Sequence, residues 1–331
     1  MSTDSLMRRH YKLFTNCYQG RTDVVAQQQP DRSFKPLPGG FTYERFLEQI
    51  AQTNIYGAYN LDDNGNVGFL MYDMDIFPRT EESYAELVPK LRAKREQVQA
   101  LIMALKGLGV QPDQVLVEFP TVGYHIVLPL AQPTPVRTVK AFGRLARDRA
   151  GLTYETPFYP HQVTGHGDMV RLPLRRNDLT GRRSNFVRDI ATFDPATYSE
   201  EPDFAPLEKL RPIDPDVVVG ALDKAESRSY VKVVPAGDIR PGMTKLVQYR
   251  GQRVLLVNDA GSFYALAETC PHAEAPLAIG PLRDGVLTCP WHSARFRVAT
   301  GEVLNGPAHD PLVHHAIRVR DGAIWVGPAR P

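Results

Sequence analysis

The sequence predicts an α+β domain followed by a small all-β domain, and three observations carry that expectation. A long run of helical period, SYAELVPKLRAKREQVQALIMALKGL, lies among short apolar runs of strand character: NVGFLMYDMDIF before it, VLVEFP and GYHIVLPL after it. Beyond residue 230, apolar residues alternate in short runs separated by Gly-containing turns. Between the two regions stands a Pro- and acid-rich stretch, SEEPDFAPLEKLRPIDPDVVVGALDKAESRS, which reads as a linker. The expected division is 1–200, a linker at 201–229, and 230–331.

Each element has a local reason. TYERFLEQIAQ has Thr42 as N-cap ahead of a helical apolar period. In the long helix Leu87, Leu91, Val98, Leu101, Ile102 and Leu105 share a face. Pro89 either starts or kinks it. VLVEFP and GYHIVLPL are joined by a Gly-containing turn, as in a hairpin. PVRTVKAFGRLARDRAG reads as a further helix with a basic face. The sequence contains no internal repeat and no low-complexity tract.

Composition excludes little. The 331 residues are 43% hydrophobic and 23% charged, with net charge +2, so any nucleic-acid footprint must be local. No apolar run approaches the roughly 18 residues of a membrane span. The start, MSTDSLMRRHYKLF, lacks a signal-peptide core, so a cytoplasmic location is expected. Cys17, Cys270 and Cys289 are too few for a disulfide framework.

Two of those cysteines belong to a ligand set. Cys270 and His272 form a Cys-x-His in CPHAEAPLAIG; Cys289 and His292 form a Cys-x-x-His in CPWHSARF. Sixteen residues separate the pairs, and a Pro follows each Cys. Tetrahedral zinc accepts two Cys and two His, but its ligands usually come grouped by type. Here each loop offers one thiolate and one imidazole, which suits a two-iron cluster with the Cys pair on one iron and the His pair on the other. The stretch from about 230 to 328 resembles Rieske-type [2Fe-2S] ferredoxins. Quinol-oxidising Rieske proteins carry a Ser, a Tyr and an extra Cys in the second loop; here Trp291, Ala294 and Phe296 stand instead. Fewer hydrogen bonds to the cluster sulfurs imply the low end of the Rieske range, about −150 mV.

The other candidate chemistry is FLMYDMDI. Asp73 and Asp75 lie two apart and project to one side of a strand. Two like charges in an apolar strand call for a cation between them, and Mg²⁺ typically takes one or two carboxylates plus substrate phosphates. The other reading is a strand end whose Asp residues face water. With the G-x-H of GYHIVLPL, then MVRLPLRRN and TGRRSNFVRD, the order resembles the archaeo-eukaryotic primase superfamily, and within it the primase domains of TOTE conflict systems. QGRTDVVA, YGAYNL and YETPFYPHQ match further pieces, over about 11 to 195.

That resemblance implies a primase-polymerase catalytic domain with an RRM-like sheet and flanking helices. It implies Mg²⁺ or Mn²⁺ at Asp73 and Asp75 for nucleotidyl transfer, with His125 contacting the incoming nucleotide. Glu155 fits the third carboxylate best, with Asp168 and Asp189 as alternatives. Arg171, Arg175, Arg176, Arg182 and Arg183 are the expected nucleotide or nucleic-acid contacts, since Arg137 to Arg188 holds eleven Lys or Arg against four acidic residues. The partners are then a DNA or RNA template, nucleoside triphosphates and a redox partner protein, with no membrane. The alternative is an electron-transfer protein whose primase-like domain only binds nucleic acid or nucleotide. His161, His166 and Asp168 imitate a two-His-one-carboxylate iron site, as in a Rieske oxygenase. Such oxygenases place the Rieske domain first, the primase likeness already covers His161, and HQVTGHGD reads as a turn-rich loop.

Overall fold

The structure is a computed structural model and describes residues 2–76, 82–153, 156–162 and 165–330. It divides into two compact units, Met1–Leu222 and Asp223–Pro331. Among the described residues no helix is long and apolar enough to cross a membrane.

The first unit runs α1 (Thr3–Cys17), β1 (Val24–Gln28), β2 (Phe34–Pro38), α2 (Tyr43–Ala51), β3 (Tyr56–Tyr59), β4 (Asn66–Asp73), α3 (Tyr84–Gly107), β5 (Leu116–Phe119), β6 (His125–Pro135), α4 (Val136–Arg149), β7 (Phe158–Tyr159), β8 (Met169–Arg171), β9 (Asn185–Phe186), α5 (Ala205–Lys209) and α6 (Pro215–Ser229), which continues past the unit's end. Five strands form an antiparallel sheet in the order β7-β4-β6-β5-β9. Its β4-α3-β5-β6-α4-β7 core is a split βαβ arrangement. Strand β4 is buried along nearly its whole length, because both faces are covered. Leu70, Tyr72 and Met74 join Leu91, Val98, Leu101 and Leu105 of α3 and Phe142 of α4 in one core. Phe69 and Met71 point the other way, into a second core with Phe14 of α1, Phe46 of α2 and Val170 of β8. The second sheet, β2-β1-β3-β8, belongs to that side.

Local signals place the helix starts. The Thr42 hydroxyl accepts from the Arg45 N–H at 3.4 Å, and the Glu86 carboxylate accepts from the Ser83 N–H at 2.7 Å. Pro89 lies inside α3 rather than at its start.

The stretch expected as linker is largely helical. Pro206 and Pro215 fall in the first turns of α5 and α6, where a missing N–H costs nothing, so they start helices instead of breaking them. Phe204, Leu207, Ile213 and Val218 are buried. Ile213 bonds both ways to the β6 strand, donating to Pro129 and accepting from Ala131.

In the second unit, β10 (Val231–Pro235), β11 (Met243–Tyr249), β12 (Gln252–Asp259), β13 (Ser262–Ala267), β18 (His314–Arg320) and β19 (Ala323–Arg330) form a six-stranded antiparallel sheet. A smaller sheet comprises β14 (Leu282–Arg283), β15 (Val286–Thr288), β16 (Arg295–Arg297) and β17 (Val303–Asn305). One ligand loop leaves β13; the other joins β15 to β16. Leu255, Leu266, Leu287 and Phe296 share one core with Cys270 and Cys289 of the two loops.

Candidate functional sites

In the first unit, strand register builds a row of polar side chains. His125 on β6 is paired with Asp73 on β4 and with Glu118 on β5. Directly opposed residues of an antiparallel pair face the same side of the sheet. The His125 Nδ1 is 2.8 Å from Glu118 Oε2. Its Nε2 stands 3.9 Å from Asp73 Oδ1 and 3.8 Å from Asp75 Oδ1. One ligand atom from each of Asp73, Asp75 and His125 lies within 4.8 Å of the others. Gly123 makes this possible: a Cβ there would lie 2.4 Å from the Asp75 Cα.

The charges are tightly balanced. Burial pushes the Asp75 carboxyl up to about 6, with Asp73 and Glu118 adding to the rise and His125 and Arg175 opposing it. Burial alone would depress His125, but Glu118, then Asp75 and Asp73, outweigh it and lift the imidazole to about 9. Asp75 Oδ1 is buried and has no hydrogen-bond partner among the described residues.

A cavity of about 570 Å³ opens beside this row. Its lining includes Asp73, Asp75, His125 and Asp178 together with Arg32, Arg171 and Arg175. Arg175 is nearly buried, and burial with the nearby Arg171 holds its guanidinium below the ordinary value. It donates to the Arg176 carbonyl at 3.1 Å through one of the five N–H donors of a guanidinium.

Three of the expected phosphate contacts are engaged elsewhere. Arg176 bonds the Gly181 carbonyl and Glu200; Arg182 meets Glu200 and stacks over Tyr84 and Tyr198; Arg183 donates to the Ile50 carbonyl. Their cationic sequence signal is met by Glu200, by aromatic rings and by backbone. Glu155 lies outside the described residues. Of its alternatives, Asp168 accepts from the His161 and Gln162 backbone N–H groups, and Asp189 accepts from the Ala191 N–H. His166 lies against the Tyr59 ring at 5.4 Å, while Asp168 holds the backbone of His161 and Gln162. Glu118, Arg32 and Tyr159 were not singled out by sequence. For Glu118 a signal existed: a carboxylate inside the apolar run LVEF, in the strand facing the G-x-H strand.

In the second unit the ligand loops are one turn used twice. The Cys270 N–H donates to the Ala275 carbonyl at 2.9 Å, and the Cys289 N–H to the Ala294 carbonyl at 2.8 Å. Glu274 N–H closes on the Cys270 carbonyl and Ser293 N–H on that of Cys289, at 2.8 and 3.1 Å. Both closing residues are left-handed, with φ of 56° and 61°. Both cysteines are buried, and both histidines are exposed. Burial, with the Cys289 thiol alongside, raises the Cys270 thiol above its ordinary value. The His272 and His292 Nδ1 atoms face each other at 3.2 Å. Sulfur thus neighbours sulfur and nitrogen neighbours nitrogen. That segregation fits two irons, one held by each pair, better than a single tetrahedral ion.

Fold and site together define a small β domain that holds an iron–sulfur cluster between two Cys/His loops. Residues 229–318 match the family model of the Rieske [2Fe-2S] domain, and through this domain the chain belongs to that family. Ferredoxin CarAc of Metapseudomonas resinovorans is 36% identical over 98 residues, 29% of this chain and 92% of that protein. Apoptosis-inducing factor 3 of Homo sapiens is 37% identical over 89 residues, 27% of this chain. The chain spans only 15% of that relative's length. Among solved structures, the ferredoxin of carbazole 1,9a-dioxygenase from Nocardioides aromaticivorans IC177 is 31% identical over 30% of this chain and 98% of that one, with a TM-score of 0.29. The second unit is a Rieske-type electron-transfer module.

Proposed function

We propose that this chain is a low-potential one-electron carrier whose first unit binds a divalent cation together with a phosphate-bearing nucleotide. The observation that carries the second half is the polarity of the cavity. Asp73 and Asp75, whose carboxylates would hold Mg²⁺ or Mn²⁺, line the same cavity as Arg32, Arg171 and Arg175, whose guanidiniums would meet phosphate oxygens. The primase likeness supplies the ligand class, nucleoside triphosphates on a DNA or RNA template. A [2Fe-2S] cluster, when bound, takes up and releases one electron at a time. Cys270 and Cys289 would hold its buried side, and His272 and His292 the side open to a redox partner. Trp291, 58% exposed, stands beside that opening. Relatives named as ferredoxin components of dioxygenases support an oxidoreductase as that partner.

The test is equilibrium binding of a nucleoside triphosphate with Mn²⁺. Wild type should bind, and Arg175→Ala should bind at least about tenfold more weakly, since charge-assisted bonds are worth about 1.5–3 kcal/mol. Nucleotidyl transfer is a second reading, favoured by the two adjacent carboxylates beside an imidazole. Primer extension lost in Asp73→Ala would establish it. Nucleotide binding without any incorporation would leave the carrier reading alone.

A further inference from the structure

The two ring nitrogens of His125 have different neighbours, and the difference assigns them different work. Nδ1 lies 2.8 Å from a carboxylate oxygen of Glu118, whose side chain is 3% exposed. A buried carboxylate needs a donor, so Nδ1 carries the proton in that contact. Nε2 is turned toward Asp73 and Asp75 at 3.9 and 3.8 Å. Those separations are too long for hydrogen bonds. They suit atoms that share one ion: two ligands each about 2.1 Å from a metal can stand up to about 4.2 Å apart. Asp75 Oδ1, one of the three atoms, is the buried oxygen with no hydrogen-bond partner among the described residues.

We infer that His125 Nε2 is itself a ligand of the cation held by Asp73 and Asp75, and that Glu118 is the positioning residue that aims it. The inference rests on the cation site proposed above and replaces the nucleotide contact that the primase likeness implies for His125. An imidazole changes which ion the site prefers. Mg²⁺ favours oxygen donors and gives up water reluctantly, whereas imidazole suits first-row transition metals. The site therefore favours Mn²⁺ or a later first-row divalent ion over Mg²⁺. A carboxylate on the far nitrogen of a ligating histidine fixes its orientation and raises its basicity.

Mn²⁺ is the probe, added to the full-length chain with its cluster oxidised and EPR-silent. Wild type should bind one Mn²⁺ that excess Mg²⁺ displaces poorly, and pulsed EPR should show coupling to one ¹⁴N. His125→Gln should lose that coupling, bind Mn²⁺ at least about tenfold more weakly, and no longer favour it over Mg²⁺. Glu118→Gln, which keeps the side chain's size, should retain the coupling with binding about 10–100-fold weaker. Circular dichroism separates misfolded variants from these effects. Mn²⁺ bound in wild type without ¹⁴N coupling would overturn the inference while leaving the cation site standing. No Mn²⁺ binding at all would remove both.

Discussion

Ala294 and Phe296 are fully buried in the core that holds Cys270 and Cys289, and neither carries a hydroxyl. A hydroxyl donating to a cluster sulfur or cysteine sulfur stabilises the more negative, reduced state. One such bond is worth about 1.5–3 kcal/mol, which for a one-electron couple corresponds to on the order of 100 mV. Ala294→Ser and Phe296→Tyr should therefore raise the midpoint potential by up to that amount, read by EPR-monitored titration. An unchanged potential in both would show that something other than missing hydroxyls sets it. The cluster ligands were legible because each pair is local in sequence and carries chemistry without help from the fold. Glu118 was not, because its partner is supplied by strand register. The partners of Arg176, Arg182 and Arg183 were hidden for the same reason: Glu200 and the Tyr84 ring, which meet some of them, are distant in sequence.

At the scale of elements, the site depends on how closely β6's approach passes the end of β4. Gly123 permits that contact, and a methyl there would fall against Asp75 backbone. Gly123→Ala should destabilise the first unit by about 1–3 kcal/mol, seen as a lowered thermal midpoint, and should weaken Mn²⁺ binding as Asp75 is displaced. A normal midpoint with normal Mn²⁺ affinity would contradict the contact. Gly143 provides a control away from the cation row, since its Cβ would lie 2.7 Å from the Phe158 ring. Gly143→Ala should lower the midpoint with a smaller effect on Mn²⁺. The α3 helix was readable from its period because its apolar face meets one core, and β4–β6 from their apolar runs because both strand faces meet a core. Residues 201–229 were not: proline marks a helix start as well as a linker, and only the burial of Leu207, Ile213 and Val218 decides between them.

At the scale of the molecule, two units each carry their own cores and their own candidate metal chemistry. The iron-bearing loops lie wholly within the second unit. A fully loaded chain should therefore contain two irons, and the double variant His161→Ala, His166→Ala should still contain two. A third iron, lost in that variant, would revive the mononuclear oxygenase site and overturn the loop role given to Asp168. The division also predicts separable losses. Cys289→Ala should abolish the cluster's visible absorption and lower the thermal midpoint of one transition, while Mn²⁺ and nucleotide binding persist. Asp73→Ala should do the converse, abolishing Mn²⁺ binding with the cluster spectrum and potential unchanged. If instead nucleotide affinity in wild type shifts when the cluster is reduced, the units are coupled, and by reciprocity bound nucleotide must shift the cluster's potential by the equivalent free energy. Measuring both shifts on the same chain decides whether its two chemistries are merely joined or act on one another.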